Sequence, residues 1–149
     1  MTIRFIRSSE KNRITEELEK QFGITKLPYL LLETGKEKMR GFSGHLSKEE
    51  IIKLSKIANI DLIGIYLLKQ ENGFRLSFDA TQLLHEQITK NIVQINDSEC
   101  EKWLRGHDLE KEAPQGIVVI QHNNNFLGCG KSNGKIIFNY VPKDRRLRN

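Results

Sequence analysis

Cysteine, proline and long apolar runs are all scarce in this chain, and each shortage excludes a class of protein. Only two cysteines occur, Cys100 and Cys129, far apart and in no metal-ligand spacing, so they are read as reduced and packed rather than as a disulfide or zinc framework. No apolar run approaches the roughly 18 residues of a membrane-spanning helix. The N-terminus MTIRFIRSSEK also lacks the apolar core and small-residue cleavage site of a secretory signal. The expectation is a cytoplasmic protein with no membrane partner. With only three prolines, 38% hydrophobic and 29% charged residues, the composition is that of a folded chain and not a disordered one. Its 149 residues suffice for one domain or two small ones with a real core.

The charge is modest in sum and uneven in place. The net +5 lies entirely in residues 131–149, where Lys131, Lys135, Lys143, Arg145, Arg146 and Arg148 face a single acid, Asp144. Residues 1–130 sum to zero, with 18 basic and 18 acidic groups. A neutral body with a basic terminus fits a polyanion binder, because each cation that neutralises a phosphate releases a condensed counterion. The other reading is a solubilising tail.

Along the chain, Ser8-Ser9-Glu10 followed by Ile14, Leu18 and Phe22, then Gly23, predicts a capped amphipathic helix. Strands are expected at 28–32 and 39–42, and the capping box Ser47 to Glu50 opens a helix with Ile51, Leu54 and Ala58 on one face and a stop at Asn59. A strand over Leu62 to Leu68 and the turn Asn72-Gly73 give a hairpin in which Phe74, Leu76 and Phe78 alternate with polar residues. Asp79-Ala80-Thr81 is expected to cap a short helix through Leu83, Leu84 and Gln87. Beyond it come a strand at 91–95 and a second capping box, Ser98 to Glu101, opening a helix through Trp103 to Gly106. A polar loop over 107–115 leads to the apolar strand 116–120, then to strands over 126–131 and 135–141 joined by Asn133-Gly134, with Pro142 ending the last. There is no internal repeat.

The segment Phe126 to Lys135 contains Gly130-Lys131-Ser132, the ending of a phosphate-binding P-loop. A P-loop also needs a glycine at position 125, occupied here by Asn125, and a helix after the serine, where Asn-Gly and a β-branched strand follow instead. The segment therefore reads as a strand pair. Gly128 and Gly130, two apart, would share one face and let a ligand or another backbone approach closely; equally, a barrel needs glycines where its wall bends. His45, His85, His107 and His122 have no metal-binding spacing and no neighbouring nucleophile, and read as surface or loop residues. Cys129, between two glycines, is either a reactive thiol or a small apolar strand residue. The nucleic-acid inventory is richer. Phe138, Asn139 and Tyr140 adjoin the run Pro142 to Arg148, placing aromatics and an amide beside phosphate-binding cations, unless both aromatics are core.

The pieces Gly116 to Ile120, Phe126-Leu127-Gly128-Cys129-Gly130-Lys131, Gly134-Lys135 and Asn139-Tyr140-Val141-Pro142-Lys143 with Arg145-Arg146 together resemble the PUA-like RNA-binding tail of RsmF-type RNA cytosine-5 methyltransferases. The helix and loop from Glu101 to Leu109 are similar to the segment before that tail. The first 88 residues are too short for the catalytic domain and carry neither its methyl-donor glycine loop nor its proline-cysteine nucleophile. They resemble instead, through Leu62-Ile63-Gly64 and Phe74 to Thr81, the N-terminal domain of the Nip-seven family of ribosome assembly factors. The family's glycine-bearing RNA loop is not reproduced at 107–115.

The resemblance implies an α+β protein, with an N-terminal mixed α/β domain (1–88) followed by a PUA-like β-barrel (89–149). It implies a non-enzymatic RNA-binding role in ribosome biogenesis or rRNA and tRNA modification, with no cofactor. Lys131, Lys135, Lys143, Arg145, Arg146 and Arg148 would meet phosphates, Asn139 or Tyr140 a base or sugar, and Gly128 and Gly130 would allow close approach. The competing reading is an adaptor that docks a methyltransferase or assembly factor.

Overall fold

The computed structural model describes residues 3–35, 37–43, 47–57 and 64–148. The first half is an antiparallel sheet whose strands lie in chain order: β1 (Ile3–Phe5), β2 (Leu30–Thr34), β3 (Lys38–Phe42), β4 (Ile65–Gln70) and β5 (Phe74–Leu76). Helix α1 (Ser8–Phe22) buries Ile14, Leu18 and Phe22, the four-residue spacing that makes one stripe. It ends as expected at Gly23, whose amide donates to the carbonyls of Leu18 and Glu19. Its start differs: Arg7 holds the cap position without a side-chain bond, and the serines lie inside the first turn.

Helix α2 (Lys48–Ile57) opens on the expected box, the Glu50 amide donating to Ser47 Oγ (3.2 Å) and the Ser47 amide to Glu50 Oε1 (3.3 Å). Ile51 is fully buried beneath it. The side chain of Leu54, and Ala58, Asn59, Leu62, Ile63 and His45, lie outside what is described. The hairpin between β4 and β5 turns through Asn72 and Gly73, both with positive φ. The expected alternation through Phe78 stops at Leu76. Ser77 donates to Tyr66 O (2.7 Å) and accepts from the Ala80 amide (3.0 Å), so the chain turns there into helix α3 (Phe78–Leu83). The cap is thus two residues earlier than expected, and Asp79 lies in the first turn without capping it.

The second half is a curled sheet of β6 (Ile92–Gln94), β7 (Leu109–Glu110), β8 (Gly116–His122), β9 (Asn125–Ser132) and β10 (Ile136–Asn139), in the order β6-β8-β9-β10-β7. Only the β6–β8 pair is parallel. Helix α4 (Asp97–Leu104) carries a complete capping box, but between Asn96 and Glu99 rather than Ser98 and Glu101. Asn96 accepts from the Glu99 amide (2.8 Å), and Glu99 accepts from the Asn96 amide (3.0 Å) and faces Lys111 Nζ (3.2 Å). Strand β7 lies within the segment expected to be a loop, set there by the burial of Leu109.

Trp103 projects from α4 into the curl, fully buried, its indole N–H donating to Leu127 O (2.7 Å). Around it pack Val118, Ile120, Leu127 and Ile137. Ile117, Val119, Phe126 and Cys129 belong instead to the core of the first half, with Leu18, Phe22 and Leu67. Strands β8 and β9 are therefore covered on both faces, which explains the unbroken apolar run 116–120. A bulge in β9 keeps the two faces in step. Val119 pairs with Cys129 and Gln121 with Phe126, so one residue of β8, Ile120, faces two of β9, Leu127 and Gly128. The architecture is α+β, as expected.

Candidate nucleic-acid interface

The hairpin β9–β10 sets the outer surface. Ile137 is opposite Ser132, Phe138 opposite Lys131 and Asn139 opposite Gly130. Because Ile137 points to Trp103, Phe138 and Lys131 point outward, and both are exposed. Lys135 is exposed beside the turn, where Asn133 Oδ1 accepts the amides of Lys135 (2.9 Å) and Ile136 (2.8 Å). Ser132 is buried, donating to Ala113 O (3.1 Å) and accepting from the Gly134 amide (3.0 Å). Gly130-Lys131-Ser132 is strand, with no helix N-terminus behind it.

After β10 the chain makes a short 3-10 turn, Lys143–Arg145, and the Leu147 amide donates to Leu104 O (2.8 Å), folding the tail against the end of α4. The six cations expected at one interface divide into two groups. Lys131, Lys135, Lys143 and Arg148 are exposed and have no ion-pair partner among the described residues. Arg145 is paired to Asp79 of α3 (Nη2 to Oδ1, 3.0 Å). Arg146 is half-buried, its Nε donating to Val141 O (2.9 Å), with its guanidinium over Gly106. A Cβ at Gly106, where φ is +90°, would come within 2.6 Å of Arg146 Nε. A cation at the C-terminal end of α4 also suits the helix dipole.

Asn139 and Tyr140, expected to face a base or sugar, are occupied inside the protein. Asn139 Nδ2 donates to Trp103 O (2.8 Å) and His107 O (2.9 Å), and its Oδ1 accepts from the Val141 amide (2.7 Å). Both amide hydrogens are thereby used to tie the end of α4 to β10. The Tyr140 ring is half-buried beneath the Arg75 guanidinium, 4.0 Å from its centroid. The two glycines are approached by protein as well. A Cβ at Gly130 would meet the Trp103 ring at 2.7 Å and Ile137 at 2.6 Å. Gly128 has φ +80° at the bulge and lies against Phe78, where a Cβ would be 3.2 Å from the ring.

Residues 90–147 match the family model of the methyltransferase RsmF PUA domain. The C-terminal part of the chain is a PUA-like domain of RsmF type. Relatives named ribosomal RNA small subunit methyltransferase F extend the likeness. That of Erwinia tasmaniensis is 28% identical over 102 residues, 66% of this chain and 21% of its own. That of Shewanella piezotolerans is 29% identical over 135 residues, 88% of this chain and 27% of its own. That of Aeromonas salmonicida is 26% identical over 87 residues, 56% of this chain and 18% of its own. The chain thus spans only a minor part of these relatives, while the Shewanella match reaches beyond the PUA-like domain into the first half. A solved structure, a conserved PUA domain protein from Thermoplasma acidophilum, superposes over 97% of both chains with a TM-score of 0.63 at 15% identity, which shows the fold.

Around the PUA-like domain, the polar groups that sequence reasoning missed come from the first half: Arg75 over Tyr140 and Asp79 on Arg145. No sequence signal marks either partner. Of the histidines described, His85 and His107 are exposed and His122 Nε2 lies 2.7 Å from Asp97 Oδ1. Among the described residues no cluster of three or more metal-ligating side chains occurs. Burial pushes the Cys129 thiol up to about 12, so it is packing and not a nucleophile. Iodoacetamide at pH 8 should therefore add slowly to half-buried Cys100 alone in the native protein, and to both cysteines in denaturant. Mass spectrometry showing rapid double labelling without denaturant would contradict this.

Proposed function

We propose that the protein is a cytoplasmic, non-catalytic RNA-binding protein of ribosome biogenesis or of rRNA or tRNA modification. In this reading residues 1–88 form a pre-PUA part, and residues 89–149 grip structured RNA through a basic surface. The observation that carries it is the set of uncompensated cations, Lys131, Lys135, Lys143 and Arg148, on the hairpin and tail of a PUA-like domain. Cations left without protein partners gain most from phosphate, and they fix position on a backbone without reading sequence. Arg145 and Arg146 hold the tail in place and so present Lys143 and Arg148 rather than serving as free contacts. The relatives are rRNA methyltransferases by name, which supports a role in or beside RNA modification.

The test is a salt titration of the purified chain against an RNA hairpin, followed by fluorescence anisotropy. The logarithm of the binding constant should fall linearly with the logarithm of salt concentration. Absence of binding at about 50 mM salt, where phosphate contacts are strong, or binding indifferent to salt, would remove RNA from the account.

A further inference from the structure

We propose that Phe138 is a stacking platform for one unpaired base of the bound RNA, with Lys131 taking the phosphate beside it. The inference rests on the RNA-binding reading above and deepens it. Phe138 is 40% exposed in the middle of β10, although its strand neighbour Ile137 is fully buried. The face it occupies is the outer one. Ile117, opposite Lys131 on β8, belongs to the core shared with the first half, so the row Ile117, Lys131, Phe138 runs from that core out to solvent.

The next aromatic along the chain, Tyr140, is already stacked, because the planar Arg75 guanidinium covers it. Phe138 has no cation over its ring among the described residues. A planar, π-faced group is what such a ring accepts, and every nucleobase has one. Charge selects the occupant. Directly opposite across the strand pair stands Lys131, close enough for one nucleotide to engage both side chains. An apolar peptide would cover Phe138 but leave that ammonium facing apolar surface. On the other flank Glu110, opposite Ile136, repels phosphate, so the RNA backbone runs on the β9 side.

Unpaired bases are the ones free to stack, so the inference discriminates between looped and fully paired RNA. Phe138→Ala and Phe138→Leu should each weaken binding to a hairpin with a single-stranded loop by about 5- to 150-fold, the range expected for one lost base stack. Phe138→Trp should retain it. Binding of a fully paired RNA duplex of equal length, the slope against salt and the melting temperature should stay as in the unsubstituted protein. Unchanged loop binding by Phe138→Ala, or equal loss on loop and duplex, overturns the proposal. If the slope still falls when the free lysines are replaced, RNA binding survives that result and only the stacking is lost.

Discussion

Replacing Lys131, Lys135, Lys143 and Arg148 together with alanine is expected to lower RNA affinity by about two to three orders of magnitude near 0.1 M salt. Counterion release sets the size of the effect. Each phosphate contact contributes about 0.7 to the slope of log K against log salt for single strands, and slightly more for duplex. Four contacts extrapolated from about 1 M to 0.1 M salt therefore sum to nearly three logarithmic units. The slope itself should flatten by about 0.7 for each contact removed. Stability should hardly move, because the four side chains are exposed and bonded to nothing described. Replacing Arg145 and Arg146 should do the reverse: the tail loosens from Asp79 and from Val141 O, and thermal stability drops before the slope changes. Anisotropy titrations at four salt concentrations, with melting curves for each variant, separate the two outcomes. A slope unaffected by the four-cation variant would take this surface out of the interface.

The second large effect is structural. Trp103→Ala should cost about 3–5 kcal/mol by cavity formation, with a further contribution from the orphaned Leu127 carbonyl. Set against a usual total of about 5–15 kcal/mol, that brings the chain close to unfolding. Trp103→Phe keeps most of the apolar volume and should be milder. Urea unfolding followed by far-UV circular dichroism gives the difference; a midpoint unmoved by Trp103→Ala would mean that the curled sheet does not depend on its central side chain. Gly130 belongs to the same contact, since the Trp103 ring occupies the space its side chain would need.

What could be read from the sequence was whatever is local and periodic. Ile14, Leu18, Phe22 and Gly23 spell a helix and its end; Asn72-Gly73 spells a hairpin; the run 116–120 spells a strand hidden on both faces. Capping was legible in kind but not always in place. Asn96 and Ser98 compete two residues apart, each with an acid three positions on, and the helix starts from the first of them. The bulge at Gly128 was hidden because burial on both faces erases the alternation that would reveal a phase shift.

The candidate interface was legible as a charge excess and illegible as a division of labour. Arg145 is claimed by an aspartate 66 positions away, and Arg75 covers Tyr140 across a comparable distance. Asn139 is taken by carbonyls that reach it only once α4 has docked. Phe138, one position earlier, escapes all of this because the strand turns it outward. Two adjacent residues with the same apparent promise thus have opposite fates, decided by the pleat.

The double covering of β8 and β9 has a bearing on how the molecule comes apart. Neither half owns a complete interior: removing α1 and its sheet would bare Ile117, Val119, Phe126 and Cys129, while removing the curled sheet would strip the floor from Leu18 and Phe22. The two sheets are like rooms sharing one partition. Loss of either exposes the partition on that side, so the halves hold each other folded, and the stiffness of the strand pair that presents Lys131 and Phe138 is maintained by residues nearly the whole length of the chain away.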